Sequence, residues 1–112
     1  MPYLPAIYEA FQRDYPEIGQ AFDALATTVH ELGRLDARTR RLVKLGIAVG
    51  AQSEGAVRSH VRQALAEGVS RAEIEQVILL SLTTAGLPTM IAALQWSRAV
   101  TAAEGSGDGS PR

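Results

Sequence analysis

Apolar residues recur three and four positions apart along most of the chain, which is the repeat of amphipathic α-helices. One such stripe consists of Ile18, Phe22, Leu25 and Val29. Runs that alternate β-branched and polar residues, which are typical of strands, are missing from the sequence. The pattern therefore predicts an all-α fold.

Proline, glycine and serine residues divide this pattern into about six predicted helices. The predicted spans are residues 5–15, 16–32, 37–52, 54–67, 71–85 and 88–103. Asp36 and Ser53 are suitable N-caps for the third and fourth spans. Ser70 and Glu73 have the spacing of a capping box, and Gly68 suits the left-handed residue that ends a helix. We predict one helical domain over residues 1–104, followed by a disordered tail of glycine and serine over residues 105–112.

The fifth predicted helix has more apolar residues than one buried stripe requires. Its expected core stripe is Ile74, Val77, Ile78 and Leu82. Leu79 and Leu80 lie outside that stripe, and a monomer would leave them exposed. We therefore expect helix faces of this kind to join subunits of a homo-oligomer.

Composition excludes several classes of partner. The 112 residues carry a net charge of -1, which lacks the positive balance that nucleic-acid binding needs. No apolar run approaches the roughly 18 to 20 residues of a membrane span, and the N-terminus does not have the pattern of a leader peptide. The sequence predicts a cytoplasmic protein that binds neither nucleic acid nor membrane.

The chain has no cysteine, so it can form neither a disulfide nor a thiolate metal site, and it has no thiol nucleophile. Its two histidines, His30 and His60, lack the helical spacing of a paired ligand set. We predict that the protein binds no metal and needs no cofactor.

His60 is the leading candidate for chemistry, because imidazole titrates near neutral pH and the residue lies on an apolar helix face. The structural alternative is a hydrogen-bonded core histidine. Glu54 lies six residues earlier, about 9 Å along the axis and about 120° around the helix, so the two cannot easily touch within one helix. Ser53 is explained by capping, and Glu54 by the helix dipole.

A basic cluster surrounds the start of the third predicted helix. It consists of Arg34, Arg38, Arg40, Arg41 and Lys44. The helix dipole opposes positive charge at this end, so something should compensate it. An anionic substrate is one explanation, and ion pairs with neighbouring acids or a solvated face are the other.

Five short segments together carry a resemblance to a known family: RTRRLVKL (residues 38–45), HVRQAL (60–65), GVS (68–70), EI (73–74) and AGLP (85–88). In this order and spacing they resemble the carboxymuconolactone decarboxylase superfamily over residues 36–100. The resemblance implies an alkylhydroperoxidase D-like helical domain that assembles as a homotrimer or homohexamer.

The peroxidase branch of that superfamily uses two cysteines, a histidine and a glutamate relay. The resemblance places Ser53 and Ala56 at the cysteine positions, His60 at the histidine and Arg41 at the glutamate. Serine and alanine cannot cycle through a disulfide, so dithiol peroxidase chemistry is excluded.

The decarboxylase branch also lacks the cysteine pair and works without a cofactor. The resemblance implies that His60 transfers the proton, with Glu54 as a second catalytic residue. Arg38, Arg41 and Ser53 are then the candidates for binding the substrate. We predict lyase or isomerase chemistry on a small carboxylated molecule. The alternative is a non-catalytic oligomeric scaffold or binding protein; it predicts a tightly packed His60, whereas the enzyme requires a pocket with a basic or polar group beside it.

Overall fold

A computed structural model describes residues 6–104, which form six α-helices and one short 3₁₀ turn without any strand. The prediction of an all-α fold is confirmed. The helices are α1 (Ala6–Asp14), α2 (Pro16–His30), α3 (Ala37–Gly50), α4 (Glu54–Ala66), α5 (Arg71–Leu80) and α6 (Leu87–Glu104). No helix within residues 6–104 is long and apolar enough to cross a membrane. The predicted disordered tail, residues 105–112, lies outside the described residues.

The described residues divide into two compact units, residues 6–36 and 37–104. The single domain expected over residues 1–104 stays a prediction. In the first unit, Pro16 begins α2, where its missing N–H leaves no hydrogen bond unmade. Gly19 of α2 is buried, and a Cβ there would lie 3.8 Å from the Gln12 side chain of α1. The predicted apolar stripe of α2 is more than half exposed at each of its four positions.

The second unit contains the buried core. Helix α3 packs against α4, α5 and α6, and α4 also packs against α6. The fully buried large apolar side chains of the second unit are Leu45, Val49, Val57, Val61, Ile74 and Ile78. They come from α3, α4 and α5, so these helices are held together by burial of one shared apolar surface.

The caps of α4 and α5 follow the predictions. Ser53 accepts a hydrogen bond from the backbone N–H of Ala56, and Gly68 has the left-handed φ of +90°. Ser70 and Glu73 form the complete capping box, in which each side chain accepts from the other residue's backbone N–H. These caps determine where α4 begins and where α5 begins.

Helix α5 is shorter than predicted, because the chain tightens into a 3₁₀ turn at Ser81–Thr83. The Ser81 carbonyl accepts from the N–H groups of both Ala85 and Gly86, at 2.7 and 3.1 Å, and Gly86 adopts a φ of +106°. The tighter turn changes the angular register, so the prediction that Leu82 lies in the core stripe is wrong, and Leu82 is 41% exposed. Leu80 is 61% exposed, which confirms the expected second strip.

Candidate active site

His60 lies on α4 and is partly buried against α3. Arg41 of α3 places its Nη1 atom 2.8 Å from Nδ1 of His60. The contact joins two of the residues that the sequence singled out. Because it links neighbouring helices of the same compact unit, the core described above determines its geometry.

The Arg41 contact identifies the protonation state of His60. A guanidinium group has only N–H donors and stays protonated in proteins, so it cannot accept a hydrogen bond. Nδ1 of His60 must therefore accept, which requires an unprotonated Nδ1. The donor capacity of Arg41 thus assigns a neutral imidazole with its proton on Nε2.

Glu67 holds Arg41 in place from the opposite side. Its two carboxylate oxygens accept from Nε and Nη2 of Arg41, each at 3.1 Å, in a bidentate pair. Glu67 follows the last residue of α4, and the Arg41 side chain is only 14% exposed. Glu67, Arg41 and His60 therefore form one connected chain, in which the carboxylate fixes the guanidinium and the guanidinium fixes the imidazole.

A pocket of about 240 Å³ lies beside this chain. It is lined by Lys44, Ile47, Ala48, Ala51, Ser53, Ala56 and His60. Four of these seven side chains are apolar, and the other three can donate a hydrogen bond. A pocket of this kind suits a small molecule with an apolar body and an oxygen-bearing polar end.

Lys44 contributes positive charge to the pocket. Burial, together with the nearby guanidinium groups of Arg41 and Arg40, lowers the pKa of the Lys44 ammonium below its ordinary value. Negative charge that enters the pocket would therefore be stabilised by Lys44, and would stabilise the Lys44 ammonium in return.

Ser53 lies in the pocket lining as well as at the N-cap of α4. Its hydroxyl oxygen accepts from the Ala56 N–H at 3.4 Å, and a hydroxyl that accepts one bond can still donate its own proton. The structure thus brings together three of the five predicted site residues, Arg41, Ser53 and His60.

The other two predicted site residues, Glu54 and Arg38, are engaged elsewhere. Glu54 accepts a hydrogen bond from Arg58 at 2.9 Å within α4, and it is not among the residues that line the His60 pocket. Arg38 forms an ion pair with Glu73 of the capping box. Hydrogen bonds from Arg38 and from the Ser70 backbone lower the pKa of Glu73 to about 2. Within the basic cluster, ion pairing with neighbouring acids thus accounts for Arg38.

Sequence reasoning did not select Lys44 or Glu67 for the site, although the spacing contains a signal for both. Lys44 shares one helical stripe with Ile47, Ala48 and Ala51, three, four and seven residues later. Glu67 lies seven residues after His60, two turns along the same stripe of α4. No group of three or more histidine, aspartate or glutamate side chains within the described part of the chain could hold a metal ion.

Fold and site together define a class, an all-α protein in which an arginine holds a histidine beside a small pocket and no thiol takes part. The chain belongs to the carboxymuconolactone decarboxylase family, because the family model of that description matches residues 16–99. The resemblance seen in the short motifs is thereby confirmed. The 112 residues contain no cysteine, so they do not include the cysteine pair that a dithiol peroxidase uses.

Proteins of a bacterium and of a methanogen are similar to part of this chain. An uncharacterized 15.0 kDa protein of the nqo9-nqo10 intergenic region of Paracoccus denitrificans is 42% identical over 72 residues, which cover 62% of this chain and 54% of that protein. An uncharacterized protein of Methanocaldococcus jannaschii is 29% identical over 82 residues, covering 72% of this chain and 79% of the relative. This chain therefore spans about half the length of the Paracoccus protein.

Proposed function

We propose that the protein is a cofactor-independent enzyme of the lyase or isomerase type, acting on a small carboxylated molecule at His60. The observation that carries the proposal is the 2.8 Å contact from Arg41 to Nδ1 of a histidine that also lines a pocket. A histidine retained only for packing needs neither a fixed tautomer nor a cavity beside it.

In the proposed mechanism His60 acts as a hydrogen-bond and proton donor through Nε2. Arg41 occupies Nδ1, so any proton that His60 gives to a bound molecule comes from Nε2. A neutral imidazole of this kind polarises a carbonyl or carboxyl oxygen as negative charge develops on it. The Glu67 pair keeps Arg41 in the geometry that this step requires.

The apolar part of the pocket favours the same class of reaction. Ile47, Ala48, Ala51 and Ala56 give the pocket an apolar side, of which Ile47 and Ala51 are exposed to solvent. Negative charge that develops beside them is met by the polar side chains of the lining, Lys44, Ser53 and His60. Loss of carbon dioxide from a 3-oxo acid fits this environment. The bond to the carboxylate breaks, its electron pair forms an enolate whose oxygen accepts from the Nε2–H of His60, and solvent supplies the proton that completes the product.

A scaffold or binding protein without catalysis is the rival function. It requires His60 packed tightly against apolar side chains, and the 240 Å³ pocket favours the enzyme instead. The predicted roles of Glu54 and Arg38 toward substrate stay predictions, as does the cytoplasmic location.

Self-association belongs to the same proposal. We propose a homotrimer or homohexamer, supported by the exposed Leu79 and Leu80 of α5. Light scattering coupled to size-exclusion chromatography tests this. Leu80→Glu is expected to shift the protein to a smaller species, and a wild-type monomer at micromolar concentration would contradict the proposal.

Proton exchange provides a direct test of the chemistry. A panel of small acids, comprising a 3-oxo acid, a carboxylated lactone and an enoic acid, is incubated with the protein in D₂O and followed by ¹H NMR. We expect at least one acid to lose carbon dioxide or to exchange a proton near its carboxyl group. His60→Gln should lower the rate by about 100-fold or more. His30→Gln, which changes the other histidine, is the matched control, and equal rates in the two variants would contradict the proposal.

A further inference from the structure

Lys44 is the only lysine of the sequence, and it lies in the lining of the His60 pocket. We infer that this pocket binds a small monocarboxylate, with the anion held by the Lys44 ammonium and the apolar body packed against Ile47, Ala51 and Ala56. The inference rests on the proposed function, and it assigns the anion to Lys44, whereas the sequence had pointed to Arg38 and Arg41.

The two arginines are committed to other partners. Arg38 pairs with Glu73, and Arg41 is held by both oxygens of Glu67 while it donates to His60. An anion that recruited Arg41 would have to break this chain and release His60 from its fixed tautomer. Lys44 lies in the pocket lining and belongs to neither of these two pairs.

The charges around Lys44 favour an anion over a neutral ligand. Arg40 and Arg41 precede it by four and three residues on α3, His60 faces the pocket from α4, and Glu67 lies beyond Arg41. Burial and the two guanidinium groups disfavour a charged ammonium group at this position, and they therefore lower the pKa of Lys44. A carboxylate beside Lys44 offsets both causes, so binding should take up protons in the pH range where Lys44 titrates.

The other lining residues determine which further chemical groups of a ligand the pocket can accommodate. The Ser53 hydroxyl and the Nε2–H of His60 can each donate to an oxygen, whereas Ile47, Ala51 and Ala56 require an apolar body. Among the lining residues there is one ammonium group, so a second carboxylate on the ligand would find no second ammonium group there. The pocket therefore favours monocarboxylates over dicarboxylates.

Binding of butyrate and benzoate to the full chain, compared with butyramide and benzamide, tests the inference. The ε-CH₂ signals of Lys44 identify the site in NMR titrations, since no other lysine contributes. We expect the acids to shift these signals and to bind more tightly than their amides. Lys44→Met should weaken the binding of the acids by about tenfold or more, as expected for loss of a charged hydrogen-bond donor. Arg13→Met, which removes an equal charge at an exposed position of α1, should leave binding unchanged.

Calorimetry adds a readout that a purely structural role of Lys44 would not affect. At about pH 9.5, near the ordinary titration range of lysine, the heat of benzoate binding should vary with the ionisation enthalpy of the buffer. This dependence should vanish in Lys44→Met. Lys44→Arg keeps the charge, so it should bind benzoate better than Lys44→Met does, and it provides the comparison if the methionine variant folds poorly.

Two results would overturn the inference: amides that bind as well as acids, or a folded Lys44→Met that binds acids as tightly as wild type. Failure of the proposed function looks different. If acids bind through Lys44 but none reacts in D₂O, the catalytic proposal fails and the anion site remains. If acids react at His60 while Lys44→Met changes neither their binding nor their rate, the inference fails and the catalytic proposal remains.

Discussion

Two arginine and glutamate clusters of the second unit use the same chemistry in different surroundings. In the first, Glu67 holds Arg41, and Arg41 in turn contacts a histidine beside a pocket. In the second, Glu75 of α5 accepts from Arg98 of α6 at 3.0 Å and from Arg71 at 3.3 Å. The two clusters differ in what the arginine contacts besides its carboxylate partner. Arg41 has an N–H group that contacts a histidine in a pocket lining, and this additional contact makes its ion pair a candidate for function.

The Glu75 cluster is explained by packing. The Arg71 side chain is only 8% exposed, and Glu75 neutralises its charge. The hydrogen bond from Arg98 is the main cause that lowers the pKa of Glu75, and it outweighs the opposing effect of burial. This cluster links α5 to α6, and none of its three residues lines the His60 pocket.

Removal of the Glu75 carboxylate should have the largest effect on stability. Glu75→Ala removes the carboxylate that pairs with the buried guanidinium of Arg71, and we expect a loss on the order of 2 kcal/mol in the free energy of unfolding. Urea denaturation measures this loss. Glu54→Ala, which removes the exposed pair with Arg58, is the control and should cost roughly 0.3 to 0.5 kcal/mol. Equal losses in the two variants would contradict the structural role of Glu75.

Removal of Arg41 should have a smaller effect on stability and a larger one on His60. Arg41→Met breaks the Glu67 pair and the contact to Nδ1, at a cost of about 1 kcal/mol. We expect the His60 ring of this variant to populate both neutral tautomers, because Nδ1 no longer accepts from Arg41. Nitrogen-15 NMR of the ring nitrogens measures the change. Arg38→Met is the matched control, and an unchanged His60 tautomer in Arg41→Met would contradict the assigned contact.

Substitution in the Arg38 and Glu73 pair should have the smallest effect on stability, and this effect should appear only at acidic pH. The pKa of Glu73 is lowered from 4.5 to about 2, so its contribution to stability is complete above pH 4.5. That contribution is lost as the pH falls from about 4.5 to about 2, since the unfolded state binds the proton first. Glu73→Gln should therefore show a shallower decline of melting temperature across this range than wild type. Identical declines in the two proteins would contradict the lowered pKa.

Local patterns predicted much of the fold. The caps at Ser53 and Ser70 and the end of α4 at Gly68 depend on hydrogen bonds within a few residues, so the sequence contains their full cause. The end of α5 was predicted less well. Its 3₁₀ turn depends on several N–H groups that converge on the Ser81 carbonyl, and residue types alone do not reveal that arrangement.

The site could be predicted only in part, because spacing places residues on helix faces but does not show how the helices pack. His60 and Ser53 could be placed on faces of helices from spacing, and both lie in the pocket lining. Which carboxylate pairs with which arginine depends on how α3, α4 and α5 pack, so Glu67 and Glu73 were not assigned as partners from spacing. Lys44 was recognised as part of a basic cluster, but its place in the pocket became evident only from the packing of α3 against α4.

Arg41 holds His60 as a neutral imidazole with its proton on Nε2. Nitrogen-15 NMR of the histidine ring nitrogens at pH 7 measures this state, with His60→Gln used to assign the signals. We expect an Nδ1 of His60 without a bound proton and an Nε2 that carries one, whereas Arg41→Met should show a mixture of protonation states. A wild-type His60 with its proton on Nδ1, or protonated on both nitrogens at pH 7, would contradict the contact and the proton-donor role built on it.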